Sequence, residues 1–415
     1  MSKFELITGR MTRTILFAPS SPLLRPQMTE LDTLRGIAVS LVVLFHSFGF
    51  LYGLKGLSGF PKIFVALTMS GWVGVNLFFV LSGFLITGIL LDTKIRMDYY
   101  GRFYVRRALR ILPLYYAVLV LLLVLARTGL VPRHVSWSFL GLSAIYLANV
   151  TTLLGVPMQY GVLWSLAVEE HFYLLWPAAV RNLSRRNVIL CASAVALLCL
   201  LLRMLYCALG ITGGGYTWLS ADGLAMGAML AAFARAPVDA RKQVRRFVAL
   251  AFAGGLTMLI IGAPFGIFLA RHFLGLTLRA TAIDLFFASV VGLTLLIGTS
   301  RWKSFVNLRI FQFLGRISYG VYLAHMLVFE VVAHLLDRYW PGLQPAAGHF
   351  SVMVLQFSIA GSSTIGLTYL SRCYFEEPFL RLKERPRIAV PVQLPGSVLE
   401  VKHREPETVT SAVRG

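Results

Sequence analysis

Negative charge is what this chain has least of. Acidic residues number 18 against 39 lysines and arginines, and charges of both signs occupy only 14% of 415 positions. A water-soluble globule carries about a quarter of its residues as charges, so that class is excluded. Cysteine is also scarce, at four. Cys191, Cys199 and Cys207 lie along one apolar stretch and Cys373 stands apart. That is neither metal-ligand nor disulfide spacing, so no metal site is expected. No internal repeat is visible. Near the start there is no short apolar core followed by a small-residue cleavage site, so the first span reads as an uncleaved anchor. The net charge of +21 is not a nucleic-acid footprint. Its basic residues sit in short segments between apolar stretches, where the positive-inside rule accounts for them.

What the chain has in abundance is apolar sequence, 57% of residues with a mean hydropathy of +0.73. Stretches of membrane-spanning length fall near 34–54, 70–91, 111–126, 162–180, 187–209, 216–234, 247–270, 279–299, 317–336 and 350–371. Trp137 to Gly155 competes as a further span but contains Asn149, Thr151 and Thr152. A full crossing there would put Arg181, Arg185 and Arg186 outside, so it reads as re-entrant or interfacial. The expected fold is all-α: a polytopic integral membrane helical bundle of about ten transmembrane helices plus that one segment. Residues 1–29, with Lys3, Arg10, Arg13 and Arg25, read as a flexible basic cytoplasmic leader. Residues 30–382 form the transmembrane domain, and 383–415, with Pro386, Pro391, Pro395 and Pro406, read as a disordered cytoplasmic tail. Both termini are expected in the cytoplasm, in a multi-pass protein of the cell (inner) membrane surrounded by its lipids.

Arg35 and His46 share one apolar span. Eleven residues at about 100° and 1.5 Å each put them on one helical face, about 16 Å apart along the axis. Ionisable groups in hydrocarbon are costly and default to a functional reading. Glu169 and Glu170 enter from the opposite side to nearly the depth of His46. Asp222, Asp284 and Glu330 also fall in the outer half, where a structural ion pair or hydrogen bond is the simpler account of them. Basic groups cluster at the inner mouth. Arg35, Arg107 and Arg110 suit a phosphate-rich cytoplasmic ligand. Carboxylates with Trp164, Tyr173 and Trp218 suit an uncharged polyhydroxylated ligand from outside. A histidine at the junction suits removal of a hydroxyl proton near neutral pH. Tyr319 and His325 could bind that ligand or simply pack in the core.

Several segments carry a family likeness. Leu31-Asp32-Thr33-Leu34-Arg35-Gly36-Ile37-Ala38 followed by Leu44-Phe45-His46 holds an arginine, ten intervening residues and a histidine. Gly74 to Phe84, the loop motif Arg106-Arg107-Ala108-Leu109-Arg110-Ile111, Trp164 to Tyr173, Leu314 to His325 and Glu376-Glu377-Pro378-Phe379 follow in order. Together they resemble the membrane-bound acyltransferase 3 family over roughly residues 29–382. The resemblance implies transfer of an acyl group, commonly acetyl, from cytoplasmic acyl-coenzyme A to a hydroxyl of an extracytoplasmic sugar, polysaccharide or glycoconjugate, in a bacterial membrane. It implies the stand-alone form, with no fused extracytoplasmic hydrolase-like domain. It supports roles for Arg35, Arg107 and Arg110 in donor binding and for His46 and Glu169 in catalysis, with Glu170, Trp164, Tyr173, Asp222, Tyr319 and His325 as acceptor-binding candidates. Asn76 stands where aspartate is common, His171 where glutamine is, and Ser220 where an arginine often precedes the residue matching Asp222. In the expected chemistry His46 is general base and Glu169 orients or stabilises its imidazole. The rival expectation is a proton-coupled transporter exporting a sugar or lipid-linked precursor, although such proteins often show the repeated halves this chain lacks.

Overall fold

Backbone N–H and C=O groups find no water in hydrocarbon, and a helix satisfies them within one segment. Helices are accordingly the only regular elements among the described residues of the computed structural model, which are 23–25, 28–50, 54, 56–131, 133–211, 215–269, 272–297, 308–341 and 350–382. The expected tail, and all but the end of the expected leader, lie outside them. In chain order the helices are α1 (Thr29–Leu44), α2 (Gly59–Thr68), α3 (Val73–Asp92), α4 (Tyr99–Arg127), α5 (Trp137–Ala144), α6 (Leu163–Asn182) and α7 (Arg185–Ala208). They continue with α8 (Thr217–Ser220), α9 (Asp222–Ala234), α10 (Ala240–Gly262), α11 (Phe273–Ile297), α12 (Arg309–Tyr339), α13 (Phe350–Leu370) and α14 (Glu377–Leu382).

Among the described residues, eight helical segments are long and apolar enough to cross a membrane. The other two expected spans are α6, which carries Glu169, Glu170 and Arg181, and the shorter apolar helix Asp222–Ala234. The chain is a polytopic membrane bundle. Large apolar side chains such as Leu197, Leu201 and Leu205 on α7 and Leu250, Ile260 and Ile261 on α10 are exposed, as a lipid-facing belt requires. Two expectations need adjusting. The stretch 216–234 is not one helix but breaks at Ala221 between α8 and α9. The arginine motif placed in a loop is helical: α4 begins at Tyr99, with Tyr99, Phe103 and Ile111 buried. Trp137 to Gly155 forms α5 and a 3₁₀ turn, Ala148–Leu154, neither of spanning length. Its carbonyls are capped from α4, where the Tyr115 hydroxyl donates to the Ser143 oxygen at 2.7 Å and the Tyr116 hydroxyl to the Ala144 oxygen at 3.0 Å.

The contact that sets the site is α1 against α12. A Cβ on Gly36 would lie 1.9 Å from the Phe311 carbonyl oxygen, and one on Gly315 would lie 1.9 Å from the Asp32 oxygen. Each glycine sits against a carbonyl of its partner helix, and because His46 and His325 meet beyond both glycines the two helices run parallel. Only glycine permits the backbones to touch there. Ten residues further along both helices, at the same sequence offset, stand His46 and His325.

Candidate active site

At Leu44 the α-helical ladder of α1 gives way to a π-helical segment, Phe45–Phe50. Ser47 bends its hydroxyl back to the carbonyl oxygens of Val43 at 2.8 Å and Leu44 at 3.2 Å, a side-chain bond that competes with the regular ladder. Such wide turns recur at functional sites. Here the turn carries His46, whose Nδ1 lies 3.0 Å from Nε2 of the buried His325. His46 lines a cavity of about 470 Å³ together with Trp72, Asn76, Arg133, Trp164, Asp222 and Tyr322.

The cavity wall is braced by polar networks. Arg203 on α7 grips Asp222 with both terminal nitrogens, at 2.6 and 3.2 Å, and also bonds the carbonyl oxygens of Leu219 and Thr277. Thr281 donates to the same carboxylate at 3.0 Å. Asp284, beside Asp222, accepts from the Asn76 amide at 2.8 Å. Four helices are thereby tied by one buried cluster, and the carboxylate at the start of α9 explains the break before it. Arg133 pairs with Glu330 and stacks over the Tyr160 ring. The ion-pair reading of Asp222 and Glu330 matches this geometry, while Asp222 also reaches the cavity.

Glu169 is placed differently from the expectation that it orients His46. Its carboxylate accepts from the Tyr173 hydroxyl at 2.7 Å and from Ser82 at 3.2 Å, and it does not line the cavity. The Arg107 guanidinium lies 4.2 Å from the centre of the Tyr173 ring. The depth estimate failed because Ser82, not Asn76, is the α3 residue opposite Glu169, six positions further from the cavity. Glu170 and Tyr173 are also absent from the cavity wall, and Glu170 instead lies within electrostatic range of Arg107 and Tyr146. Tyr319 spends its hydroxyl on the Ile111 carbonyl at 2.9 Å. Of the acceptor-binding candidates, Trp164 and Asp222 are brought to the cavity, and His325 reaches it only through His46.

Arg35, Arg107 and Arg110 do converge, at the opposite end of α1 from His46. They are joined by Arg372, so that Arg110 feels three other guanidinium charges. Arg372 lies on a second π-helical segment, Ser371–Glu376, which joins α13 to α14. Asp32 stands 3.6 Å from Arg35 and Glu377 3.2 Å from Arg372. Neither Arg107 nor Arg110 is in an ion pair among the described residues, and Arg110 is exposed. Carboxylates stand nearby, with Glu376 in electrostatic range of Arg110 and Arg372 and Glu169 and Glu170 in range of Arg107, yet the guanidinium groups still crowd one another at a partly open end. Sequence reasoning missed Arg372, Arg203 and Arg133. The first two left a signal, a cation ending the last span and a lone arginine inside the cysteine-bearing one.

Against protein families, residues 28–373 match the acyltransferase domain model. The chain belongs to the acyltransferase 3 family. This acyltransferase 3 chain is 32% identical over 171 residues to the peptidoglycan O-acetyltransferase OatA of Listeria monocytogenes, covering 37% of this chain and 24% of OatA. YrhL of Bacillus subtilis, provisionally named a peptidoglycan O-acetyltransferase, is 34% identical over 163 residues, 35% of this chain and 23% of YrhL. A Staphylococcus aureus protein provisionally named an O-acetyltransferase is 32% identical over 177 residues, 38% of this chain and 25% of that one. The alignments thus span about a quarter of the length of these curated relatives. No solved structure matches the chain.

Proposed function

We propose that this protein is a membrane O-acetyltransferase. It takes an acetyl group from acetyl-coenzyme A at the arginine end and passes it to a hydroxyl of an extracytoplasmic carbohydrate, of the peptidoglycan type named for its relatives, in the cavity that His46 lines. The observation that carries the reading is the arrangement along α1. A four-arginine cluster stands at one end of the helix and a histidine in a cavity wall at the other, about 16 Å on by helical rise. That gap is of the order of an extended pantetheine arm.

Arg35, Arg107, Arg110 and Arg372 hold the donor's phosphate groups, for which planar guanidinium forks are suited. Glu169 serves this end, fixing Tyr173 beneath Arg107, so its part is positioning rather than contact with His46. Trp164 and Trp72 offer flat faces to a sugar ring, and Asn76 and Asp222 offer hydrogen-bond partners to its hydroxyls. His46 takes the proton from the attacking hydroxyl as its oxygen bonds to the thioester carbonyl carbon. The same imidazolium returns the proton to the sulfur as the C–S bond breaks, so ester and free thiol leave with no charge created. The arginine-rich end faces the cytoplasm by the positive-inside rule, with both termini on that side.

Mass spectrometry of envelope glycans from cells with and without the gene tests this directly. Loss of an acetyl increment is the expected result, and identical glycans together with no acetyl transfer from labelled acetyl-coenzyme A in membranes would overturn it.

A further inference from the structure

We infer that His325 is a positioning residue that fixes His46 in the tautomer needed for a base. The inference rests on the proposed role of His46. Nδ1 of His325 lies 3.0 Å from the carbonyl oxygen of Val321. A carbonyl oxygen only accepts, so this nitrogen carries the proton. His325 is 1% exposed and Nε2 of a neutral ring protonated at Nδ1 bears a lone pair. That lone pair faces Nδ1 of His46 at 3.0 Å. One proton must lie between the two nitrogens, and His325 has none left to give. His46 therefore donates through Nδ1 and keeps Nε2 unprotonated, the nitrogen a general base uses.

Two further observations agree. The Val42 carbonyl, four residues before His46 as Val321 is before His325, also lies against the His46 ring, and in His325 the nitrogen facing the corresponding carbonyl is Nδ1. The histidines also stand at the offset set by Gly36 and Gly315, so the glycine contact that joins α1 to α12 sets the register of the pair. When His46 takes the substrate proton, its Nδ1–H continues to donate to the His325 lone pair. A neutral imidazole thus fills the place a carboxylate holds in a hydrolase triad.

The test is steady-state kinetics with labelled acetyl-coenzyme A on H325Q, H325N and H325L in membranes. Glutamine carries its amide oxygen out to where Nε2 lies and accepts the His46 proton. Asparagine reaches only as far as Nδ1, and leucine fills the space without an acceptor. H325Q is expected to keep kcat within about tenfold of the wild type, while H325N and H325L fall about 100-fold or more, the scale of a misplaced base. The KM for acetyl-coenzyme A stays unchanged in all three. Wild-type kcat in H325L, or equal loss in H325Q and H325L, overturns the inference, and so does a donor KM that rises with the loss of kcat. H46A that still transfers acetyl would instead overturn the role of His46 itself.

Discussion

Arg203 and Arg110 both sit on long helices of one bundle, yet they meet opposite ends. Arg203 is sealed between α7, α9 and α11, with Asp222, Thr281 and two carbonyl oxygens taking its donors. Arg110 is exposed and faces three further guanidinium groups. A buried cation satisfied by the protein itself holds helices together, and breaking it strands a charge. A cation crowded by its own kind and open to solvent is held in place by the fold for something that arrives from outside. The contrast is between charge as internal bracing and charge as the proposed docking site, and it can be broken from either side.

The largest effect is expected from Arg203→Ala. Removing the guanidinium leaves Asp222 and Asp284 side by side without a countercharge, at a cost of about 3–5 kcal/mol in stability. Thermal unfolding in detergent checks this, and Arg203→Met with Asp222→Leu is expected to recover most of the loss. Arg372→Ala or Arg110→Ala sharpens the contrast. Each is expected to leave stability unchanged or improved while raising the KM for acetyl-coenzyme A about 10- to 100-fold, as loss of a charge-assisted bond of about 1.5–3 kcal/mol implies. Glu169→Gln keeps the Tyr173 and Ser82 contacts but removes a charge near Arg107, and is expected to shift donor KM only a few-fold with kcat little changed. A large kcat loss there would return Glu169 to the chemistry.

The smallest effect is expected outside the membrane. Arg96 donates to Asp98 at 2.7 Å and holds its carboxyl below the usual carboxylate range. A depressed folded value means this stabilisation is present above the ordinary carboxylate pKa, about 4, and is lost as pH falls through the folded value. The pair is more than a third exposed at Asp98, so Asp98→Asn is expected to cost under about 1 kcal/mol in unfolding measurements near neutral pH.

Much of this bundle can be read along one dimension. Apolar runs mark the helices, and the Arg35 to His46 spacing marks the two ends of α1, because both depend only on local composition and helical rise. What spacing does not carry is which helix faces which. The His46 to His325 contact joins residues 279 apart and depends on two glycines whose meaning lies in the partner backbone. Glu169 was misplaced for the same reason. Its depth on α6 was estimated from an apolar boundary, and a shift of one or two turns moves a side chain from the cavity to the arginine end. Arg203 inside an apolar run showed that a countercharge was needed without showing that Asp222 supplies it.

His46 is the residue on which the proposed transfer turns. Acetyl transfer and acetyl-coenzyme A binding should be measured together on wild type and His46→Ala in the same membranes. The expected result is transfer reduced by about 10²–10⁴ with donor affinity within twofold of wild type. Transfer at the wild-type rate, or donor affinity lost in step with transfer, would contradict a base at the cavity end separated from cations at the other.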